Sequence, residues 1–121
     1  MKDFVHLHTH SDYSTQKSIC TTSELVEMAK LYQIPALALT DTTNMFGILE
    51  FYHKTCELNN SKEPDQVNAI IGCEVQVFSE KKNEQFELVL LCENKVGYHN
   101  LVKIVSKSIF PPVVYISNIL T

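Results

Sequence analysis

Segments with a two-residue apolar period alternate with segments of helical period along this chain, and this alternation limits the possible folds more than any other feature. Phe4–Thr9, Ala36–Thr40, Ala69–Phe78 and Phe86–Cys92 are the predicted strands. Thr22–Tyr32, Met45–Leu58 and Gly97–Phe110 are the predicted helices, and Asn59–Gln66 is a predicted polar loop. Strands that alternate with helices favour an α/β domain whose sheet has mainly parallel strands.

Each predicted helix carries an apolar stripe that would face the core. In the first helix the stripe comprises Leu25, Met28, Ala29 and Tyr32. Thr21, just before this helix, and Glu24, in its first turn, have the spacing of a capping box. In the second helix it comprises Ile48, Leu49, Tyr52 and Cys56. In the third helix it comprises Tyr98, Leu101, Val102, Val105 and Ile109.

The last residues, Val113–Leu120, form an apolar, strand-like segment that follows Pro111-Pro112. A strand at this position needs a neighbour. Either it pairs with an earlier strand of this chain, or its natural partner lies beyond Thr121.

Length and charge exclude some functional classes. A chain of 121 residues with 45% hydrophobic and 20% charged residues fits one small domain with a core. Its formal net charge is −4, and its basic residues form no run beyond Lys81-Lys82, which argues against binding DNA by phosphate neutralisation.

The cysteines and the apolar runs indicate a reduced, cytoplasmic compartment. Cys20, Cys56, Cys73 and Cys92 are widely spaced, which argues against a disulfide framework or a thiolate zinc site, and Cys73 and Cys92 lie in apolar runs as small buried residues do. The N-terminus lacks the apolar region of a signal peptide, and the apolar stretches are too short to span a membrane.

The segment His6-Leu7-His8-Thr9-His10 carries the strongest chemical signal. Side chains two residues apart on a strand point the same way, at a rise of about 3.3 Å per residue. Three neighbouring imidazoles can therefore converge on one divalent metal or on two adjacent ions. The alternative is that some of these histidines only pack or face solvent.

Two carboxylates follow or lie within apolar strands. Asp41 comes directly after Ala36–Thr40, at the strand end where α/β sheets place their sites, and it is the predicted catalytic residue. Asp41 could equally cap a turn. Glu74 lies inside an apolar strand, where a carboxylate needs a partner or a metal, unless it lies on a solvated face. His53 and His99 are expected at helix surfaces, and Lys17 could add a positive charge near the histidines.

Four blocks of this sequence, in this order, resemble the PHP (polymerase and histidinol phosphatase) domain, in the branch found at the N-terminus of bacterial DNA polymerase III alpha subunits. The first block is Phe4–Ser14, the second is Pro35–Asp41 with Asn44–Gly47, the third is Ile71–Val75, and the fourth is Leu88–Asn94 with the helix that follows. The resemblance extends from about Phe4 to Ser108.

The resemblance implies a distorted (β/α)7 barrel with a metal site at the C-terminal ends of its strands. In family members with an intact site, the metals hydrolyse phosphoesters, and in some replicative polymerases this gives a 3′-5′ exonuclease. Position by position, His8 and His10 match the histidine ligand pair, and Glu74 matches the carboxylate ligand of the third block. Zinc or manganese is the expected metal.

Three departures from the family pattern indicate a degenerate site. Lys17-Ser18 replaces the usual Asp-Gly, Thr42-Thr43 replaces the usual His-Gly, and Glu87 replaces a histidine. A protonated lysine cannot ligate and repels cations. The resemblance therefore implies weak or absent metal binding and a structural role inside the polymerase. The alternative is a working phosphoesterase or exonuclease in which Glu87 and later residues complete the site.

The chain is shorter than a whole PHP barrel, so we expect an incomplete one: a partial PHP domain over residues 4–110 and an atypical C-terminal tail over 111–121. An unclosed barrel leaves an exposed edge strand. The implied partners are the rest of the polymerase chain and the replisome subunits, with DNA bound through the full-length enzyme.

Overall fold

The structure is a computed structural model that describes residues 4–60 and 66–120. Its elements are, in chain order, α1 (Thr22–Leu31), β1 (Ala36–Leu39), α2 (Ile48–Asn59), β2 (Asn68–Ser79), β3 (Glu84–Leu91), α3 (Lys95–Lys107), β4 (Val114–Tyr115) and α4 (Ile116–Leu120). This order confirms the predicted α/β class. The middle of the loop predicted at Asn59–Gln66 lies outside the described residues.

Strand β2 is the centre of the sheet, because all three other strands pair with it. The first part of β2 pairs with β1 in parallel, from Ala36 opposite Asn68 to Leu39 opposite Ile71. The second part pairs with β3 in antiparallel register on one side and with β4 in parallel on the other. Parallel pairings therefore predominate, as predicted, and the β2–β3 hairpin is the exception.

The predicted N-terminal strand Phe4–Thr9 is wrong as a regular element. Within it, only His6 forms a β-bridge, in parallel with Leu37 of β1. Backbone hydrogen bonds from Ala38 N–H to His6 and from Thr40 N–H to Thr9 continue the contact. The segment therefore runs beside β1 without forming a regular ladder with it.

The tail prediction is also partly wrong. Val114 and Tyr115 pair with Val77 and Phe78 of β2, which confirms the alternative that the tail pairs with an earlier strand. Ile116–Leu120 is a helix instead of the predicted strand. A short apolar run does not by itself distinguish a strand from a buried helix.

The helices form where they were predicted, but their buried faces differ in part. The capping box of α1 is present, with Thr21 and Glu24 bonded reciprocally. The residues buried in α1 are Thr22, Val26 and Ala29; in α2 they are Ile48, Phe51 and Thr55; in α3 they are Leu101 and Val105. Several predicted stripe residues are instead largely exposed: Met28, Tyr32, Leu49, Tyr52, Val102 and Ile109. Apolar residues lie on more than one face of these helices, so spacing alone could not select the buried face.

Two apolar clusters hold these layers together. One joins α1 and α2 to β1 and includes Val26, Leu39 and Phe51. The other joins α3 and β4 to β2 and includes Val75 and Leu101. The described helices include none long and apolar enough to cross a membrane.

Gly72 keeps β2 in close contact with its neighbours. A Cβ at this position would lie 2.5 Å from the Leu90 carbonyl oxygen and 2.9 Å from Thr40 Cγ2. Only glycine therefore fits between β1 and β3 here.

The next residues of β2 are Cys73, which is fully buried, and Glu74. Burial raises the pKa of the Cys73 thiol to about 12, so this thiol stays protonated near neutral pH.

Candidate functional site

Glu74 is a carboxylate that is only 1% exposed, and both of its oxygens are occupied. Oε2 lies 2.6 Å from His8 Nε2 and 3.0 Å from His10 Nε2. Oε1 accepts hydrogen bonds from Lys17 Nζ at 2.5 Å and from Thr42 Oγ1 at 3.1 Å. Four side chains from distant parts of the sequence therefore converge on this one group.

Three segments bring these side chains to Glu74. The N-terminal segment runs beside β1 and carries His8 and His10. Because these two residues alternate along the segment, their side chains point the same way, past the end of β1 toward Glu74 of β2. Thr42 follows β1 and forms a parallel bridge with Glu74. Lys17 comes from the loop at residues 11–20, which folds over the strand ends. The site thus lies just past the C-terminal end of β1, where its parallel ladder with β2 stops, beside the middle of β2.

The structure brings together His8, His10 and Glu74, the three residues predicted as metal ligands. One ligand atom from each lies within 4.8 Å of the others. The imidazole ring centroids of His8 and His10 are 4.9 Å apart, with an angle of 65° between the ring planes. His6 does not belong to this group, and its ring packs edge-on against Phe4 at 4.7 Å instead. Whether these residues ligate a metal stays a prediction.

The surroundings keep Glu74 ionised. Burial raises the pKa of its carboxyl group, but hydrogen bonds from Lys17, His8, Thr42 and His10 outweigh burial and lower the pKa to about 2. The hydrogen bond to Glu74 in turn raises the pKa of Lys17, against a smaller lowering by burial. Near neutral pH the site therefore contains an ammonium and a carboxylate in direct contact.

This contact bears on whether the residues fit a metal. Two imidazoles and a carboxylate form a suitable donor set for zinc or a related ion. An ammonium 2.5 Å from the same carboxylate does not suit a cation site, because it supplies positive charge and no lone pair. Within the described residues, every buried side-chain nitrogen and oxygen already has a hydrogen-bond partner. A metal bound to His8, His10 and Glu74 Oε2 would therefore lie beside the ammonium on Oε1, and the repulsion between the two cations would weaken its binding.

Asp41, the predicted catalytic residue, holds a turn. It is 2% exposed, and its oxygens accept hydrogen bonds from the Ser11 backbone N–H at 2.7 Å, the Ser11 hydroxyl at 2.7 Å and the Ser14 hydroxyl at 2.6 Å. Its ligand atoms are not in the group formed by His8, His10 and Glu74. The geometry is that of the turn-holding alternative, while the catalytic role of Asp41 stays a prediction.

Sequence reasoning missed Ser11 and Ser14 as partners of Asp41. Ser14 is central, because its hydroxyl also accepts a hydrogen bond from the Thr42 backbone N–H at 3.0 Å. These serines precede Asp41 by 30 and 27 positions, and no local pattern links them to it. Thr42 replaces the histidine of the family pattern, and here its hydroxyl donates to Glu74.

Thr43 has a left-handed backbone, with φ of 57°. Its N–H donates a hydrogen bond of 2.7 Å to the Glu74 backbone carbonyl, so the bend supports the site. A β-branched residue in this region of φ is uncommon and strained. The family motif usually has glycine here, and the backbone keeps the conformation that glycine favours.

A cleft of about 460 Å³ opens beside the cluster. His8, His10 and Lys17 form its polar side. Its apolar side includes Met28 of α1, Tyr32 just after that helix, and Leu37 of β1. The cluster is therefore accessible from solvent on this side, and the His8 side chain is 50% exposed.

The sequence matches a protein-family model and several curated proteins. Residues 6–118 match the family described as the PHP domain. The chain is 43% identical over 107 residues to a DNA polymerase III subunit alpha of Chlamydia trachomatis, with 81% of this chain and 8% of that protein covered. It is 40% identical over 104 residues to the protein of the same name from Bacillus subtilis, with 85% and 9% covered. The chain thus spans less than a tenth of the length of these curated relatives.

A solved structure shares the fold. A candidate metal-dependent phosphoesterase from Bifidobacterium adolescentis superimposes with a TM-score of 0.61 at 14% sequence identity. The match covers 88% of this chain and 33% of that one, as expected for an incomplete PHP-type barrel. At this identity the likeness concerns the fold alone.

Proposed function

The chain belongs to the PHP domain family, and on that premise we propose that it is the PHP segment of a bacterial replicative DNA polymerase III alpha subunit, where its role is structural. The observation that carries this proposal is the similarity of more than 80% of the chain to the PHP region of such subunits. The polymerase activity would reside in other parts of the protein.

The Lys17 contact supports a structural role over a catalytic one. A metal-dependent phosphoesterase needs open positions on a cation for its substrate and water. Here the Glu74 carboxylate is already neutralised by an ammonium and hydrogen-bonded on both oxygens. Such a site stabilises the junction of three chain segments, and it offers no free positive centre to a phosphate.

The proposed partners follow from this role. The segment would contact the rest of the polymerase chain and, through it, the replisome subunits in the bacterial cytoplasm. With a net charge of −4 it would not bind DNA by itself, and DNA would reach it only through the full-length enzyme.

The test compares the intact protein with a His8→Ala/His10→Ala variant. We expect the variant to unfold at a lower temperature, because Glu74 loses two of its four partners. On a mismatched primer we expect the two proteins to show the same 3′-5′ exonuclease activity, or none. A His53→Ala/His99→Ala variant is the matched control, because both of those histidines lie exposed on helices. Exonuclease activity that is lost only in the His8/His10 variant would contradict the structural role.

The second candidate function is a metal-dependent phosphoesterase or 3′-5′ exonuclease, and the 4.8 Å grouping of His8, His10 and Glu74 favours it. A bound zinc or manganese ion would polarise the phosphate and activate water. For this function, bis(p-nitrophenyl) phosphate should be hydrolysed when Mn²⁺ is added, and His10→Ala should abolish the reaction. The structural proposal expects no such hydrolysis.

A further inference from the structure

We propose that the ammonium group of Lys17 serves as a built-in cation at this site, taking the place of a metal between Glu74 and Glu87. Lys17 Nζ lies 2.5 Å from Glu74 Oε1 and 3.5 Å from Glu87 Oε1. The inference rests on the proposed structural function and adds the residue responsible for it. It makes the fold at this rim independent of metal.

Strand register places both carboxylates on the same face of the β2–β3 hairpin. Glu74 and Gln76 are two residues apart on β2 and therefore point to one side. Glu87 of β3 is directly opposite Gln76. The Gln76 side-chain amide donates a hydrogen bond of 3.1 Å to Glu87 Oε1, which orients that carboxylate toward the same point.

Two carboxylates on one face would repel each other without a cation between them. Glu74 is 1% exposed, so water screens its charge poorly, whereas the Glu87 side chain is 54% exposed. The pair with Glu74 is therefore the important contact, and Glu87 adds to it from the solvent side. Lys17 occupies Oε1 of Glu74 while His8 and His10 contact Oε2, so a metal held by the histidines and Oε2 would lie close to the ammonium and be repelled by it.

The loop at residues 11–20 holds the Lys17 backbone in place. The Ser14 carbonyl accepts a hydrogen bond from the Lys17 N–H at 3.0 Å, and Gln16 before it has a left-handed φ of 70°. Asp41 fixes the start of this loop through Ser11 and Ser14. The ammonium thus joins an already ordered loop to β2 and β3.

The experiment replaces the ammonium by a carboxylate. In the intact protein, Lys17→Asp removes the built-in cation and adds a ligand beside His8, His10 and Glu74. We expect the variant to bind a further equivalent of Zn²⁺ or Mn²⁺, measured by elemental analysis and Mn²⁺ electron paramagnetic resonance, roughly 10- to 100-fold more tightly than the unsubstituted protein. Adding His10→Ala to the variant should remove this gain.

Lys54→Asp is the matched control, because it makes the same change of charge at a lysine that pairs with Glu27 on the α1–α2 surface. We expect it to leave metal binding unchanged. Lys17→Gln removes the charge without adding a carboxylate, so it tests the same idea if the Asp variant folds poorly. We expect it to gain metal affinity to a smaller extent.

Two results would overturn the inference. If neither Lys17 variant binds more metal than the unsubstituted protein, Lys17 does not stand in for a cation, while the proposed structural role remains. If the unsubstituted protein already binds stoichiometric metal through His8 and His10, both the inference and the structural role fail.

Discussion

Asp41 and Glu74 are neighbouring buried carboxylates with different surroundings. Asp41 follows β1 and Glu74 lies within β2, and the Glu74 backbone N–H donates to the Asp41 carbonyl at 3.0 Å. Asp41 receives only neutral donors, from Ser11 and Ser14. Glu74 receives an ammonium, two imidazoles and one hydroxyl.

The two clusters differ in the charge of the groups that surround the carboxylate. The neutral donors around Asp41 form a compact set that fixes a turn, and a metal could not replace them without unfolding it. The donors around Glu74 either ligate metals or carry the charge that a metal would carry. Only the Glu74 cluster therefore has the chemistry to exchange one cation for another.

The largest expected effect is the loss of the Glu74 charge. Glu74→Gln keeps the side-chain volume but leaves Lys17 with only the half-exposed Glu87 as an anionic partner, and we expect the free energy of unfolding to fall by about 3 kcal/mol. Urea unfolding monitored by circular dichroism measures this change. If Asp41→Asn lowers the free energy of unfolding by as much as Glu74→Gln, the two carboxylate clusters do not differ as proposed.

Acid should weaken the Glu74 cluster. The folded-state pKa of Glu74 is about 2, which is below its unfolded value, so its stabilising contribution is present above the unfolded pKa and is lost as pH falls toward 2. The loss between about pH 5 and pH 2 should approach 3 kcal/mol. Unfolding free energies measured over this range should show a flatter curve for Glu74→Gln than for the unsubstituted protein. Parallel curves would rule out a depressed pKa.

Replacing Asp41 should have a smaller effect. Asp41→Asn retains one acceptor oxygen for Ser11 N–H and Ser14, so we expect a loss of about 1–2 kcal/mol. Amide hydrogen exchange should become faster at Ser11 and Thr42, which depend on this turn. Exchange that increases instead at the β2–β3 pairing would show that Asp41 acts beyond its loop.

The smallest effect is a gain of stability at Thr43. Thr43→Gly relieves a left-handed β-branched residue, and we expect it to stabilise the fold by about 1 kcal/mol. Asn83→Gly is the control, because Asn83 is also left-handed, with φ of 51°, but asparagine tolerates that conformation. Thermal unfolding measures the melting temperature of both variants. Equal increases in melting temperature for Thr43→Gly and Asn83→Gly would show that the strain at Thr43 is not specific.

Local patterns predicted the helices α1 to α3 and the strands β1 to β3, but not the N-terminal segment, the tail helix or every buried face. The capping box predicted where α1 begins, because it depends on residues three positions apart. Met28 and Tyr32 fit a helical stripe yet are largely exposed, since burial depends on which neighbour packs against the helix. Phe4–Thr9 alternates like a strand, but it runs beside β1 without forming a regular ladder with it.

The sequence by itself determined the chemistry that this chain can bring to a site. Alternating histidines, a carboxylate within an apolar strand and a lysine in the following loop can all be read from it, and their grouping at the strand ends follows from α/β topology. Only the tertiary structure decided how the charges pair. The Lys17–Glu74 contact and the Ser14–Asp41 contact join residues 57 and 27 positions apart, and distances of that kind depend on packing across the whole sheet.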